Sequence, residues 1–423
     1  MLLFTGASQV VTCAGPPRAR HGVEMRDPHA RRETAVAVRD GRIEAVGASD
    51  ELERTYAGAE RVDCTGCVLT PGLVDSHTHA VFGRARYEEQ ELRASGLAYM
   101  EIARRGGGIH SSVRDLRSRT EEELYLLARA RLMRLASYGT TTVEVKSGYG
   151  LTLEDELKAL RVIRRLAAEL PLRIVPTWLG AHEIPLEYRD RPAGRTEYVE
   201  LLVSEMLPRI VGDGLAAFAD VFCEPGVFTP DEARRVLAAA REAGIGVKIH
   251  ADELEGSGGA ELACELGAAS ADHLAAVSDR GIAALAASQT VATLLPGTML
   301  FLGRSKQAPA RRLIDAGAAV ALATDFNPGT SPTVNFPLML TLGVSQLRMT
   351  AGETLLAATV NGAAALGLAA ETGQIAPGFA ADLALFEAED YRELPYWYGD
   401  RRCRGAWARG RACHAYEART TLV

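Results

Sequence analysis

The chain has 423 residues, 24% of them charged and 47% apolar, and a net charge of −7. Such a chain can bury a large core, and without a basic stripe it is a poor partner for nucleic acid. No apolar run nears the ~20 residues that span a bilayer, and seven scattered cysteines suit reduced thiols in a cytoplasmic protein.

The amino-terminal "MLLFTGASQVVTCAG" lacks a basic region and reads as a strand, not a signal peptide. "TAVAVRDGRIEAVG" alternates on either side of Asp40-Gly41, the pattern of a hairpin. Cys64-Thr-Gly-Cys67 is a lone CxxC with no second pair at metal-binding spacing, and reads as strand and turn. Beyond residue 70 the pattern changes. Strand-like runs near 73–77, 140–146, 173–179, 218–223, 245–250, 269–273, 290–295 and 319–325 alternate with helical stretches such as 121–138, 153–169, 196–211 and 229–243. The last of these starts with Thr229, Pro230 and Glu232, a capping box with proline at the first turn. Eight strands alternating with helices fit an α/β fold of the (β/α)8 TIM-like barrel type. An open doubly wound sheet would carry a glycine-rich turn after its first strand, and none is present. The chain then returns to short strands in "TGQIAPGFAADLALFE" and "GAWARGRAC". The expected organisation is a small β-sandwich built from both termini, residues 1–70 plus 371–423, around a barrel of residues 71–370.

Barrel chemistry sits at the carboxyl ends of the strands, and polar residues gather there. His77 and His79 end the first strand, and Lys146 the second, with Tyr149 just after it. His182 follows the third, His250 ends the fifth with Glu253 beyond it, His273 ends the sixth and Asp325 the eighth. Strand alternation puts His77 and His79 on one face, and likewise Glu144 with Lys146. Two neutral imidazoles at i and i+2 can grip one metal ion, and His250 with Asp325 would complete the shell. Three imidazoles and a carboxylate suit one divalent ion, zinc or iron. With only four lysines against 43 arginines, Lys146 and Lys248 stand out.

The His-x-His after strand one, the histidines after strands five and six, and the aspartate after strand eight resemble the amidohydrolase superfamily. Strand four ends "DVFCEPG" with no lysine to bridge a second metal, which favours a single ion. Together, "GLVDSHTHAVFGRAR", "GGGIHSSV", "EVKSGYGL", "KIHADE" and "ATDFNPGTSPT" closely resemble the imidazolonepropionase family. The resemblance implies ring opening of 4-imidazolone-5-propanoate to N-formimino-L-glutamate in histidine degradation. It also implies a catalytic set of Glu253, His273 and Asp325. Asp325 would coordinate through one oxygen and take the water's proton on the other, with His273 polarising the carbonyl oxygen or stabilising the oxyanion, or Asp325 would only coordinate and His273 would be the base. Glu253 would shuttle a proton to a ring nitrogen. Arg86 matches the family's substrate arginine and would clamp the propanoate. Tyr149, His182 and the turn residues Asn327, Gly329 and Thr330 would touch substrate or product. Lys146 is open to several readings, a cation behind the ligands or on the substrate side, or a buried ion pair with Glu144. Gly106 to Gly108 read as a backbone lid or a surface loop, and Glu183 is expected to point outward. The substrate carries a carboxylate, no nucleic acid or membrane is involved, and the family implies a homodimer. The rivals are a deaminase of guanine or a related ring, which would not need Arg86, and a barrel that has lost catalysis and serves in binding.

Overall fold

The computed structural model describes residues 1–97, 101 and 106–416. Its strands are Leu2–Thr5 (β1), Gln9–Val11 (β2), Ala30–Arg31 (β3), Thr34–Arg39 (β4), Arg42–Ala48 (β5), Glu60–Asp63 (β6), Cys67–Pro71 (β7), Leu73–Asp75 (β8), Thr140–Lys146 (β9), Arg173–Ala181 (β10), Phe218–Cys223 (β11), Gly246–Ala251 (β12), Ser270–His273 (β13), Val291–Leu294 (β14), Val320–Leu322 (β15), Leu383–Glu387 (β16), Cys403–Ala408 (β17) and Arg411–His414 (β18).

β8 to β15 form one all-parallel sheet of eight strands in chain order. The ring closes beyond the last strand residues, where Thr78 bridges Phe326 and the Asp325 amide donates to His77 at 3.0 Å. Closure therefore falls in the segments that carry His77, His79 and Asp325. β8 ends at Asp75, so the two histidines lie just past the strand, with the bridge at Thr78 between them.

The helices outside the ring form for local reasons. Glu121–Ala136 and Pro230–Glu242 both open with capping boxes, Thr120 with Glu123 and Thr229 with Glu232. Leu153–Glu169 presents Leu157, Leu160, Ile163 and Leu166 inward at helical spacing. The stretch read as one helix over 196–211 is Gly194–Leu201, a π turn over Leu202–Met206, and Leu207–Gly212. Pro208 has no amide hydrogen to donate back, and the widened turn just before it accommodates that loss.

The terminal strands form two sheets. One runs β5-β4-β1-β6; the other runs β18-β17-β16-β7-β2-β3 and joins both ends of the chain. Between them lie Phe4, Val36, Val38, Leu69, Leu383 and Trp407, with Phe4 edge-on to Trp407 at 4.9 Å. The β4–β5 hairpin turns at Asp40 and Gly41, both at positive φ (50° and 77°), as a two-residue primed turn requires. Cys64 and Cys67 are buried against this sandwich core, and burial raises the Cys64 thiol pKa.

Candidate metal centre and active site

Four donor atoms from three parts of the chain converge at the carboxyl end of the barrel. His79 Nε2 lies 3.3 Å from His77 Nε2 and 3.4 Å from His250 Nε2. Asp325 Oδ1 lies 3.5 Å from both His77 Nε2 and His79 Nε2. A tetrahedral ion with bonds of ~2.0–2.1 Å holds its ligand atoms ~3.3–3.4 Å apart, so the cluster has the dimensions of a metal site. Its protonation agrees. His77 Nδ1 meets Asp272 Oδ2 at 2.6 Å, which leaves its Nε2 lone pair facing the cluster, and His250 Nδ1 lies 3.0 Å from Asp220 Oδ2. Burial first, then neighbouring cations, holds the His77 and His79 pKa values well below the usual imidazole range. Neutral imidazoles with converging lone pairs repel one another unless a cation lies between them.

The base of the site is a buried charge network. Lys146 Nζ lies 2.8 Å from Glu144 Oε2 and 2.7 Å from Asp220 Oδ2. Lys248 Nζ lies 3.1 Å from Glu144 Oε1 and donates to the Ser76 carbonyl at 2.7 Å. Burial works against the Lys146 ammonium, but Asp220, Glu144 and Asp272 outweigh it and raise its pKa. The geometry of Lys146 combines the buried ion pair with Glu144 and a cation standing behind the cluster. It faces the ligands' acidic partners from below.

Asp325 Oδ2 accepts from the Thr298 hydroxyl at 2.6 Å, which uses one of its two lone pairs. His273 closes the other side, with its ring centroid 5.3 Å from His77 and Nε2 3.5 Å from Glu253 Oε2. Burial pushes His273 down to about 3 and raises Glu253 well above the carboxylate range, where the charges of Asp325 and Glu224 add to the effect. Burial thus keeps His273 neutral at pH 7 and shifts Glu253 toward its protonated form. His273 and Asp325 both sit at positive φ (82° and 51°), a strained backbone of the kind that gathers at functional sites.

The substrate-side residues line the same mouth. His182 stacks on His79 at 5.2 Å and 22°, its Nδ1 donating to the Gly148 carbonyl at 2.9 Å, which turns Nε2 away as an acceptor. Tyr149 lies 5.3 Å from His182 and 6.0 Å from His79 between ring centroids. Arg86 is buried, and its Nε and Nη1 make no hydrogen bond; the Glu89 carboxylate lies 3.5 Å from Nε. Its guanidinium lies over Gly329, where any Cβ would overlap it. Asn327 spends its side chain inside its own turn, accepting from the Gly329 and Thr330 amides at 2.8 and 2.7 Å and donating to the Asp325 carbonyl at 2.7 Å. Glu183 turns to Arg189, 3.1 Å away. The Gly108 amide donates to Glu89 at 2.8 Å, which ties the glycine loop to the arginine's neighbour.

Sequence reasoning missed Asp272, Asp220, Thr298 and Glu89. Asp272 immediately precedes His273, and Asp220 sits mid-strand in "FADVFC". A charged residue inside an apolar barrel strand was the available signal for both. Thr298 offered none.

A family model described as "Amidohydrolase family" matches residues 68–411, and one described as "Imidazolonepropionase-like composite domain, bacteria" matches residues 35–59. The imidazolonepropionase of Symbiobacterium thermophilum is 50% identical over 402 residues, covering 94% of this chain and 93% of its own. That of Geobacillus sp. WCH70 is 48% identical over 403 residues, covering 94% of each. Among solved structures, an adenosine deaminase from Xanthomonas campestris with bound zinc superposes with a TM-score of 0.72 at 20% identity, over 97% of this chain and 92% of its own. The atrazine chlorohydrolase TrzN of Arthrobacter aurescens, complexed with zinc, gives 0.68 at 17% identity, over 100% and 97%. These two likenesses are of fold.

Proposed function

Since the chain belongs to the amidohydrolase family and, within it, to the imidazolonepropionases, we propose that it hydrolyses the ring C–N bond of 4-imidazolone-5-propanoate to N-formimino-L-glutamate, a step of histidine degradation. The observation that carries this reading is the pairing of a metal-sized cluster with a buried guanidinium that has two unsatisfied nitrogens. A neutral ring substrate of a deaminase would leave those two nitrogens without a hydrogen bond, with only the Glu89 carboxylate 3.5 Å from Nε, at a cost in desolvation.

His77, His79, His250 and Asp325 would hold one divalent ion, zinc or iron. Such an ion, when bound, supplies Lewis acidity and lowers the pKa of a coordinated water. The rest is the work of the side chains. Arg86 receives the propanoate through two parallel N–H donors. Tyr149 and His182 bracket the ring, and Asn327, Gly329 and Thr330 form the wall behind the acid tail. Glu253, whose pKa burial raises, hydrogen-bonds the ring and gives its proton to the departing nitrogen. The attacking water gives its proton to His273 or Asp325. The Thr298 hydroxyl takes one lone pair of the second oxygen of Asp325 and leaves another for that proton, whereas burial keeps His273 neutral and makes it a weak base. Asp272 and Asp220 orient the ligand imidazoles from behind.

We take residues 1–70 with 371–423 as the supporting sandwich and 71–370 as the catalytic barrel. Among the described residues no helix is long and apolar enough to cross a membrane. A cytoplasmic homodimer is the family's expectation.

The test is turnover of freshly prepared 4-imidazolone-5-propanoate, followed by loss of its ultraviolet absorbance, on protein of known metal content. Turnover that stops on chelation and returns with zinc or iron supports the reading. A fully metal-loaded protein with no turnover would discard the substrate.

A further inference from the structure

We infer that Arg131, on the helix Glu121–Ala136 outside the barrel, is a positioning residue that sets the span between the metal cluster and Arg86, and through it the length of acid tail the site accepts. The inference rests on reading Arg86 as the carboxylate clamp.

The span is residues 80–86, and it contains no helix or strand. Seven residues of irregular chain would ordinarily be compliant, yet both ends must be accurately placed. One end leaves the ligand His79, whose amide donates to Phe326 at 2.8 Å. The other end is Arg86, whose amide donates to Pro328 at 3.3 Å and whose guanidinium lies over Gly329.

The middle is gripped from outside. Arg131 Nη1 donates to the Ala80 and Phe82 carbonyls at 3.2 and 2.5 Å, and Nη2 donates to Gly83 at 2.6 Å. One guanidinium thus holds three carbonyls of the span. Its central carbon also sits 3.4 Å from the centroid of the Phe82 ring, which packs edge-on to Phe326 at 5.7 Å, beside Asp325. Asp115 adds a second hold by accepting from the Arg84 amide at 2.8 Å while paired with Arg119 at 2.9 Å. Position 83 is glycine, and any Cβ there would overlap the Asp115 carboxylate. Burial lowers the Arg131 pKa to about 10, which leaves it charged at neutral pH. None of these contacts reaches the reacting ring. What they fix is how far the carboxylate clamp stands from the ring.

A site with that distance fixed selects tail length, since a chain one methylene short or long loses either the clamp or the ring contacts. The test uses the stable probes imidazole-4-acetate, imidazole-4-propanoate and imidazole-4-butanoate as competitive inhibitors of the metal-loaded full chain. The unmodified protein should prefer the propanoate by about tenfold or more over either homologue. Arg131→Met keeps the apolar stem and removes the three donors. It should bring the three inhibition constants to within about threefold of one another with metal content unchanged. General destabilisation would weaken all three alike and leave their ratio intact. A folded Arg131→Met protein that keeps the full preference overturns the inference. Where that variant does not fold, Arg131→Lys, which can reach fewer of the carbonyls, decides on the same ratio: a fall of about threefold or more supports the inference and an unchanged ratio overturns it. Arg86→Ala separates the premise: if it leaves all three constants unchanged, the clamp reading itself fails, and the role of Arg131 with it.

Discussion

Arg86 and Asp272 make opposite demands on an experiment, because one is proposed to face substrate and the other to back a metal ligand. Arg86→Ala should raise KM by about 100-fold or more, the loss of a charge-assisted bidentate pair, while metal content stays full. Equal loss of metal would put the residue in the wrong place. Asp272 Oδ2 fixes the His77 tautomer from 2.6 Å, so Asp272→Asn should lower metal affinity by about 10–100-fold; competition with a chromophoric chelator reads this directly. His110 tests the electrostatics away from the site. Burial first, then Arg189 and Arg114, hold it at about 4, below the ~6.5 of an unfolded chain. The unfolded state therefore takes up the proton first as pH falls. The neutral His110 contributes stability above pH ~6.5 that is lost as pH drops toward 4. Between pH 7 and 5 the wild type should lose about 2 kcal/mol more than His110→Gln, measured as urea unfolding. Equal pH slopes would refute the assignment.

Single buried acceptors hold the loops that carry chemistry. Glu156, in the first turn of the helix Leu153–Glu169, accepts from the Gly150 amide at 2.7 Å, Leu151 at 3.0 Å and Gly148 at 3.2 Å. That loop presents Tyr149, and its Gly148 carbonyl orients His182. Glu224 does the same for the Glu253, Leu254 and Glu255 amides. Glu156→Ala should leave three amides unsatisfied and loosen both substrate-facing rings. The expected result is a KM raised about tenfold or more with metal content unchanged. An unaltered KM would show that the loop holds itself. Neither anchor could be read from the sequence, because a glutamate in a helix's first turn is equally suited to the helix dipole alone. The capping boxes and the Asp40-Gly41 turn were readable because their partners lie within three residues.

For the molecule as a whole, an ion held by this cluster would also be a structural load. Among three imidazoles and a carboxylate, carried by segments after the first and last barrel strands and by β12, four donor pairs lie 3.3–3.5 Å apart. Chelation should therefore lower the melting temperature as well as abolish turnover, and re-addition should restore both. Metal at 1,000 times its Kd is worth about 4 kcal/mol to the folded state. A scan unmoved by chelation would mean that the barrel closes without the ion.

By itself the sequence determined the alternation of strands and helices, the order of the barrel strands and the residue types that meet in the histidine–aspartate cluster. Hydrophobic period, turn chemistry and metal preference are properties of short segments. It also carried the motifs that point to one family. Only the tertiary structure decided which charged residues stand behind the cluster, that Lys146 is held in an ion pair there, that Thr298 donates to the second oxygen of Asp325, and that Arg131 grips the span to Arg86. Each of these joins residues from 27 to 195 positions apart. Such contacts depend on strand stagger and on how the helices seat against the ring, and no local pattern records either.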